Sequence, residues 1–158
     1  MKYEQEYIES LFRCEKEIIE LPTKDYKEER GHLKKNFALR SLDGSSLFRA
    51  FIRYNVRFPE NFSIGLDFNP REEKGTICLL RCNGTHGENK QILHHESFHI
   101  HFATAETINS GAKPERNVET TKEYASLEQA IQYFMKFINL KQEDRNTYFP
   151  EKQAGLFG

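Results

Sequence analysis

The chain has 158 residues, of which 37% are hydrophobic and 30% charged, and its formal net charge at pH 7 is -1. This length is typical of one domain with its own core, and the near-neutral charge excludes polyanion binding through overall basicity. The three cysteines form no regular disulfide framework, the acidic N-terminal stretch has no apolar signal segment, and no run approaches the ~20 apolar residues of a membrane span. We therefore expect a cytoplasmic globular protein that does not contact a membrane.

The N-terminal part predicts a helix followed by a linker. Between residues 3 and 21 apolar side chains recur at alternating spacings of four and three, which predicts one amphipathic helix that stops at Pro22. The apolar positions are Tyr7, Leu11, Cys14, Ile18 and Leu21. Residues 23–35 are mostly polar and predict a solvated linker or a poor helix.

Alternation of apolar and polar side chains then predicts about five strands. The first begins near Phe37 and ends at an Asp-Gly turn formed by Asp43 and Gly44. The next three cover residues 48–56, 62–68 and 76–82, and the fifth, at residues 98–102, contains two histidines. Residues 107–124 are mostly polar and predict a long surface loop.

A second helix is predicted near the C-terminus. Ser126 with Gln129 three residues later is a capping-box pattern, and an apolar stripe continues to Ile138. Residues 1–140 are therefore expected to form a single α+β domain, and residues 141–158 a flexible tail. In this fold the N-terminal and C-terminal helices pack on the same face of one mainly antiparallel sheet, and the other face stays partly open.

The open face is where we expect function. If the strands form a meander, arginines from two strands and histidines from a third share this surface, and they favour phosphate or carboxylate. The candidate anion-binding residues are Arg49, Arg53, Arg81, His99 and His101. The alternative is an ordinary solvated face with alternating charges, because strand order cannot be read from the sequence.

The histidines also permit two other kinds of chemistry. His86, His99 and His101 could act as general acid and base on a phosphodiester, as in a ribonuclease. No cofactor is expected, although zinc is one possibility, with His86, His94, His99 and His101 as the candidate ligands. Cys78 and Cys82 are poor candidates, because Cβ atoms four residues apart on a strand are about 13 Å apart.

The last residues form a separate motif. Gln153, followed three residues later by Leu156 and Phe157, resembles the short peptide by which bacterial replication and repair proteins bind the DNA sliding clamp. An apolar anchor on a flexible tail suits such a cleft physically. A chance match, or packing of the tail on its own domain, is the alternative.

Several short motifs together resemble a family of small uncharacterised bacterial proteins that is classed as a domain of unknown function. They are residues 19–24, residues 39–44 with 48–53, residues 79–81 with Asn83, Gly84 and His86, and residues 98–101, so the resemblance covers residues 15–140. It implies a bacterial origin and emphasises the polar residues inside the motifs, Arg53, Arg81, His86, His99 and His101. Genes of this kind are often associated with mobile elements, phage defence or toxin–antitoxin systems, and the family has no established activity to carry across.

The sequence therefore predicts a protein whose Arg/His sheet face binds an anionic partner, RNA, DNA or a nucleotide. The first alternative is a His-dependent ribonuclease or a metal-assisted phosphodiester hydrolase. The second is a non-catalytic adaptor that docks on the DNA sliding clamp through its tail.

Overall fold

The computed structural model describes residues 2–22, 25–85, 97–111 and 118–151. Four helices are present within these ranges: α1 (Gln5–Arg13), α2 (Ala105–Asn109), α3 (Leu127–Phe137) and α4 (Gln142–Tyr148). Eight strands accompany them: β1 (Lys16–Glu20), β2 (Lys27–Glu29), β3 (His32–Ser41), β4 (Leu47–Asn55), β5 (Phe62–Asn69), β6 (Ile77–Asn83), β7 (His99–Phe102) and β8 (Val118–Thr120). None of the described helices is long and apolar enough to cross a membrane.

All eight strands belong to one antiparallel sheet. Its order is β1-β3-β4-β5-β6-β7-β8, and the short strand β2 pairs with β3 beside β1. From β3 to β8 each strand pairs with the next one in the chain, as expected for a meander. The predicted α+β class is confirmed, and the sheet has eight strands instead of about five.

The core lies on one face of this sheet, under α1 and α3. Phe48, Ala50 and Ile52 of β4 alternate with Arg49, Phe51 and Arg53 and are almost completely buried. Ile8 of α1 and Phe134 of α3 join the same cluster. The Ser126 hydroxyl accepts a hydrogen bond from the Gln129 N–H and caps α3, as its sequence predicted. Both helices therefore cover the apolar face, and the functional question concerns the opposite face.

The predicted N-terminal helix over residues 3–21 is wrong in its second half. α1 ends at Arg13, and residues 16–20 form β1, which pairs with β3. Ile18 satisfies the helical spacing, but its opposite partner in β3 is the buried Leu39, so the same apolar residue also suits a strand. A helical spacing over so few apolar positions did not distinguish the two outcomes.

The predicted linker over residues 23–35 is also wrong in its described part. β2 and the start of β3 form a hairpin there, and its two-residue turn is Arg30 and Gly31. Both turn residues have positive φ, 51° and 81°, which is the backbone geometry of a type I′ hairpin. The hairpin brings the basic residues of this stretch onto the sheet.

The C-terminal half contains more structure than its polar composition predicted. The expected loop over residues 107–124 contains the end of α2 and all of β8 in its described part. Beyond residue 140, α4 follows, and the buried Phe149 packs on Phe37 with ring centroids 5.3 Å apart. Packing therefore extends at least nine residues past the predicted domain boundary.

A bulge in β6 changes which of its side chains face the core. Leu66 of β5 pairs with Leu80, but the next residue, Asp67, pairs with Cys78, so Leu79 is an extra residue in β6. Cys78 therefore lies on the face of Asp67, whereas Cys82 is buried in the core. The two cysteines of β6 therefore lie on opposite faces of the sheet.

Lys16 is a buried lysine whose ammonium group contacts the C-terminal ends of α1 and α3. Its Nζ donates to the backbone oxygens of Phe12, Cys14 and Ile138, at 3.1, 2.9 and 2.7 Å. The carbonyls at the C-terminal ends of α1 and α3 thereby gain a donor. Burial lowers the pKa of Lys16 to about 8.

Candidate functional site

The face of the sheet opposite α1 and α3 carries most of the predicted site, and we call it the polar face. Residues opposite one another in neighbouring strands have side chains on the same face. One row across the polar face consists of Lys27, Lys34, Arg53, Ser63, Asn83, His99 and Thr120. The next row consists of Asn36, Phe51, Gly65, Arg81, His101 and Val118. The structure thus brings the predicted arginines and histidines onto one face.

The histidines do not have the exposure that was expected of them. His99 is 0% and His101 4% exposed, so the prediction that they stand on an open surface is wrong. Their ring centroids are 5.0 Å apart, with the planes nearly perpendicular. A ligand that stays on the surface cannot reach either ring.

His99 is part of a hydrogen-bonded group between β6 and β7. Its Nδ1 lies 2.9 Å from the backbone oxygen of Ser97, and its Nε2 lies 3.4 Å from Nδ2 of Asn83. Both contacts are satisfied by one tautomer, in which Nδ1–H donates to Ser97 and Nε2 accepts from Asn83. The buried hydroxyl of Tyr124 lies 2.9 and 3.0 Å from the backbone oxygens of His99 and Asn83, so it fastens the same two strands. These contacts give His99 a structural role.

Arg81 is fixed in the middle of the polar face. Its Nη2 lies 3.1 Å from Oδ1 of Asp67, and its Nη1 donates to the backbone oxygen of Leu80 at 3.1 Å. The guanidinium carbon lies 4.6 Å from the ring centroid of Phe51, which is the geometry of a cation–π contact. Arg81 therefore already has an acidic partner and an aromatic partner.

Two other arginines of this face are also paired with acids. Nη1 of Arg49 lies 3.5 Å from Oε2 of Glu20, and Arg40 forms a salt bridge with Glu17. The hydrogen bond from Arg40 holds the pKa of Glu17 below its usual range. The β1 edge of the sheet is therefore close to electrically neutral.

The excess charge lies two rows from Arg49, in a group that we call the basic row: Lys27, Lys34 and Arg53. Lys34 is directly opposite Lys27 on one side and Arg53 on the other. Across the described ranges, no salt bridge involves any of the three. Lys27 and Arg53 are exposed, and Lys34 is half-buried. Like charges directly opposite in a sheet repel one another, so this arrangement costs stability when no anion is bound.

The sequence prediction missed Lys27, Lys34 and Asn36. All three lie in or beside the stretch that was predicted to be a linker. Their alternation with Tyr26, Leu33 and other apolar residues, on either side of Gly31, is a hairpin pattern that would have found them. Conversely, Arg49 and Arg81 were chosen correctly as residues of the polar face, although both have acidic partners.

The candidate metal ligands are only partly described. His86 and His94 lie outside the described residues, and so does their relation to His99 and His101. Within the part of the chain that the structure covers, no three His, Cys, Asp or Glu side chains lie close enough to hold a metal ion. Burial raises the pKa of the Cys82 thiol to about 12, so it remains protonated at neutral pH. The zinc hypothesis stays a prediction.

Two cavities lie away from the polar face. One, of about 400 Å³, is lined by Tyr3, Tyr7, Phe68 and neighbouring charged residues, and the other, of about 460 Å³, lies between α3 and α4. Neither cavity involves a residue that the sequence predicted for a site.

Gln153, Leu156 and Phe157 of the proposed clamp-binding peptide lie outside the described residues.

Comparisons of the chain with protein-family models, with curated proteins and with solved structures find no match in any of the three. The resemblance to the bacterial family of unknown function therefore remains a prediction. Any assignment of function must come from the polar face itself.

Proposed function

We propose that the polar face binds nucleic acid, with the basic row as the site of the phosphates. One observation carries the proposal: Lys27, Lys34 and Arg53 lie directly opposite one another in three neighbouring strands, and none of them forms a salt bridge with a described residue. Neighbouring strands are about 4.8 Å apart, so three cations in a row cover about 10 Å of surface. A phosphate chain supplies negative charge over such a distance, and it would remove the repulsion within the row.

The chemistry of the neighbouring side chains supports the same ligand. Arg53 can form a bidentate contact with a phosphate, and lysines bind phosphate as point charges. Ser63, which follows Arg53 in the same row, adds a hydroxyl donor. Because the net charge of the chain is -1, the attraction is local to this face and not a property of the whole protein.

Salt dependence of binding tests the proposal directly. Fluorescence anisotropy with labelled RNA and DNA oligonucleotides, measured from 50 to 200 mM salt, compares the wild type with the double variant Lys34→Ala/Arg53→Ala. We expect the double variant to bind at least tenfold more weakly. If both residues contact phosphates of a single strand, the slope of log K against log salt should become shallower by about 1.4.

The matched control is Arg13→Ala. Arg13 is an exposed arginine of α1, on the other side of the sheet, so its loss changes the net charge without touching the basic row. Equal weakening by Arg13→Ala and by the double variant would contradict a specific site on the polar face. Binding that is indifferent to the double variant would contradict it as well.

The catalytic alternative receives less support from the described residues. A general acid or base must reach the reacting group, and both described histidines of the predicted set are buried. Their contacts suit a structural group. We therefore propose a binding protein in preference to a ribonuclease or hydrolase.

A further inference from the structure

Phe51 is a half-buried aromatic ring in the middle of the polar face. It lies on β4 between Arg49 and Arg53, each about 7 Å away along the strand. Across the sheet it lies opposite Asn36 on one side and Gly65 on the other. An aromatic ring flanked by positive charge is the combination by which proteins stack nucleic-acid bases and contact the adjoining phosphates.

On its side toward β6 the Phe51 ring packs against the Arg81 guanidinium. Gly65 lies beneath both groups, and they could not take these positions if it had a side chain: a Cβ atom there would come within 2.4 Å of the Phe51 ring and 2.3 Å of Nη1 of Arg81. The missing side chain lets the Phe51 ring and the Arg81 guanidinium approach each other above the backbone of β5. Asp67 and the Leu80 carbonyl hold the guanidinium in that position. The ring is thus oriented before any ligand arrives, which lowers the entropic cost of binding.

The side of Phe51 toward β3 is open and polar. Asn36 is exposed, and its side chain forms no hydrogen bond with any other described residue. Its amide has both donor and acceptor groups, as the edge of a nucleobase requires. Lys34 and Arg53 of the basic row are the next residues along β3 and β4 on this face.

We infer that Asn36, Phe51, Gly65 and Arg81 form a nucleobase subsite, so that the polar face prefers single-stranded nucleic acid. A base stacks on the Phe51 ring, its edge meets the Asn36 amide, and the adjoining phosphates lie on the basic row. In a duplex the bases are stacked on one another and their pairing edges are occupied, so only an unpaired base can lie on the sheet in this way. The inference rests on the proposed function and adds to it the strand state and a base contact.

Binding measurements with four ligands test the subsite: a single-stranded DNA and a single-stranded RNA oligonucleotide, a duplex of the same length, and inorganic polyphosphate as a chain of phosphates without bases. The variant is Phe51→Leu, which keeps the apolar bulk and removes the ring. We expect it to weaken binding of both single strands roughly tenfold, since loss of one stacked base has about that effect. Binding of polyphosphate should be unchanged.

Two further variants keep the test interpretable. Phe58→Leu makes the same change at an exposed phenylalanine in the turn after β4 and should leave binding unchanged. Asn36→Ala should alter the order of affinities among homopolymeric single strands, because it removes the contact with the base edge. Unfolding curves of each variant establish that the fold is retained.

The outcomes separate this inference from the proposed function. If single strands and the duplex bind equally well and Phe51→Leu has no effect, the subsite is wrong, whereas a basic row that binds phosphates stands. Binding of polyphosphate without binding of any oligonucleotide overturns both the nucleic-acid proposal and the subsite, and leaves the basic row as a site for phosphate chains alone. If none of the four ligands binds, both the proposed function and the subsite are overturned.

Discussion

The two ends of the polar face contain similar residues and differ in what those residues do. At one end lie Asn83, His99 and His101, which we call the histidine half. All three are buried, and His99 is hydrogen-bonded to Asn83 of the neighbouring strand and to the backbone of Ser97. At the other end the basic row on β2, β3 and β4 has two exposed cations and a half-buried one, and no salt bridge to a described residue. In both places polar side chains alternate with apolar ones, so the alternation alone does not separate structure from function.

The difference shows how a polar residue can matter in opposite ways. A buried polar group stabilises the fold only while its hydrogen bonds are satisfied, and its removal leaves its partners unpaired. An exposed cation beside other cations destabilises the fold slightly, and its removal costs nothing unless a ligand depends on it. Mutations in the histidine half should therefore change stability, whereas mutations in the basic row should change binding.

The largest expected effect is a loss of stability in His99→Ala. Truncation removes a fully buried ring and leaves the Asn83 amide and the Ser97 carbonyl without their partner. We expect the free energy of unfolding to fall by about 3 kcal/mol, as measured by urea denaturation at pH 7.

His32→Ala is the matched control for that variant. His32 is a half-buried histidine at the start of β3, and its loss should change the free energy of unfolding by about 0.5 kcal/mol or less. Equal effects of the two substitutions would contradict the structural role of the histidine half. A His99→Ala variant that is as stable as the wild type would contradict it as well.

A smaller effect, with a pH dependence, is expected from Tyr124→Phe. The variant loses the hydroxyl next to the carbonyls of Asn83 and His99, which should cost about 1 kcal/mol at pH 7. Burial raises the pKa of Tyr124 above its ordinary value of 10.0. The folded protein therefore holds this proton more tightly than the unfolded chain, and the resulting stability is complete below pH 10 and is lost as the pH rises above it.

Above pH 10 the wild type should lose up to about 1.4 kcal/mol per pH unit through this group, and Tyr124→Phe should not. The measurement is the free energy of unfolding of both proteins at pH 7, 9, 10 and 11. Other buried groups, such as Cys82, titrate in both proteins and cancel in the difference. If the difference in free energy of unfolding between the two proteins stays constant over this pH range, Tyr124 is not buried as described. Tyr7→Phe, at a half-exposed ring, serves as the control.

Several features of this comparison could be predicted from the sequence. Period-two patterns identified β4 and β5, and the capping residue Ser126 identified the start of α3. The assignment of Arg53 and Arg81 to one face also agrees with the register, because alternation within each strand fixes the face once the strands pair in order.

The rest required long-range information. Nothing local shows that Leu79 is an extra residue in β6, since a bulge depends on the register with β5. The burial of His99 depends on which parts of the chain surround β7, and a strand's own alternation carries no information about them. Of the basic row, the sequence predicted Arg53 and missed Lys27 and Lys34, because the three residues of β2 alone are too few to show a period and the hairpin is evident only when both sides of Gly31 are read together.

The smallest expected effect is a gain in stability in the basic row. Lys34 lies between Lys27 and Arg53, so Lys34→Gln removes two unfavourable neighbours while keeping a long polar side chain. We expect the free energy of unfolding to rise by about 0.3 kcal/mol at low salt. The gain should vanish near 1 M salt, where the Debye length is about 3 Å and the repulsion in the wild type is already screened.

The same variant should bind nucleic acid more weakly, and it is this opposition that distinguishes a ligand site from a solvated face. Lys122→Gln, at an exposed lysine outside the strands, should change neither quantity. A fall in stability in Lys34→Gln would mean that Lys34 has a favourable partner, and the unbalanced charge on which the basic row depends would not exist. A gain in stability with unchanged binding would show that the cations of the basic row repel one another but do not bind the phosphates. The phosphates would then have to lie elsewhere on the polar face.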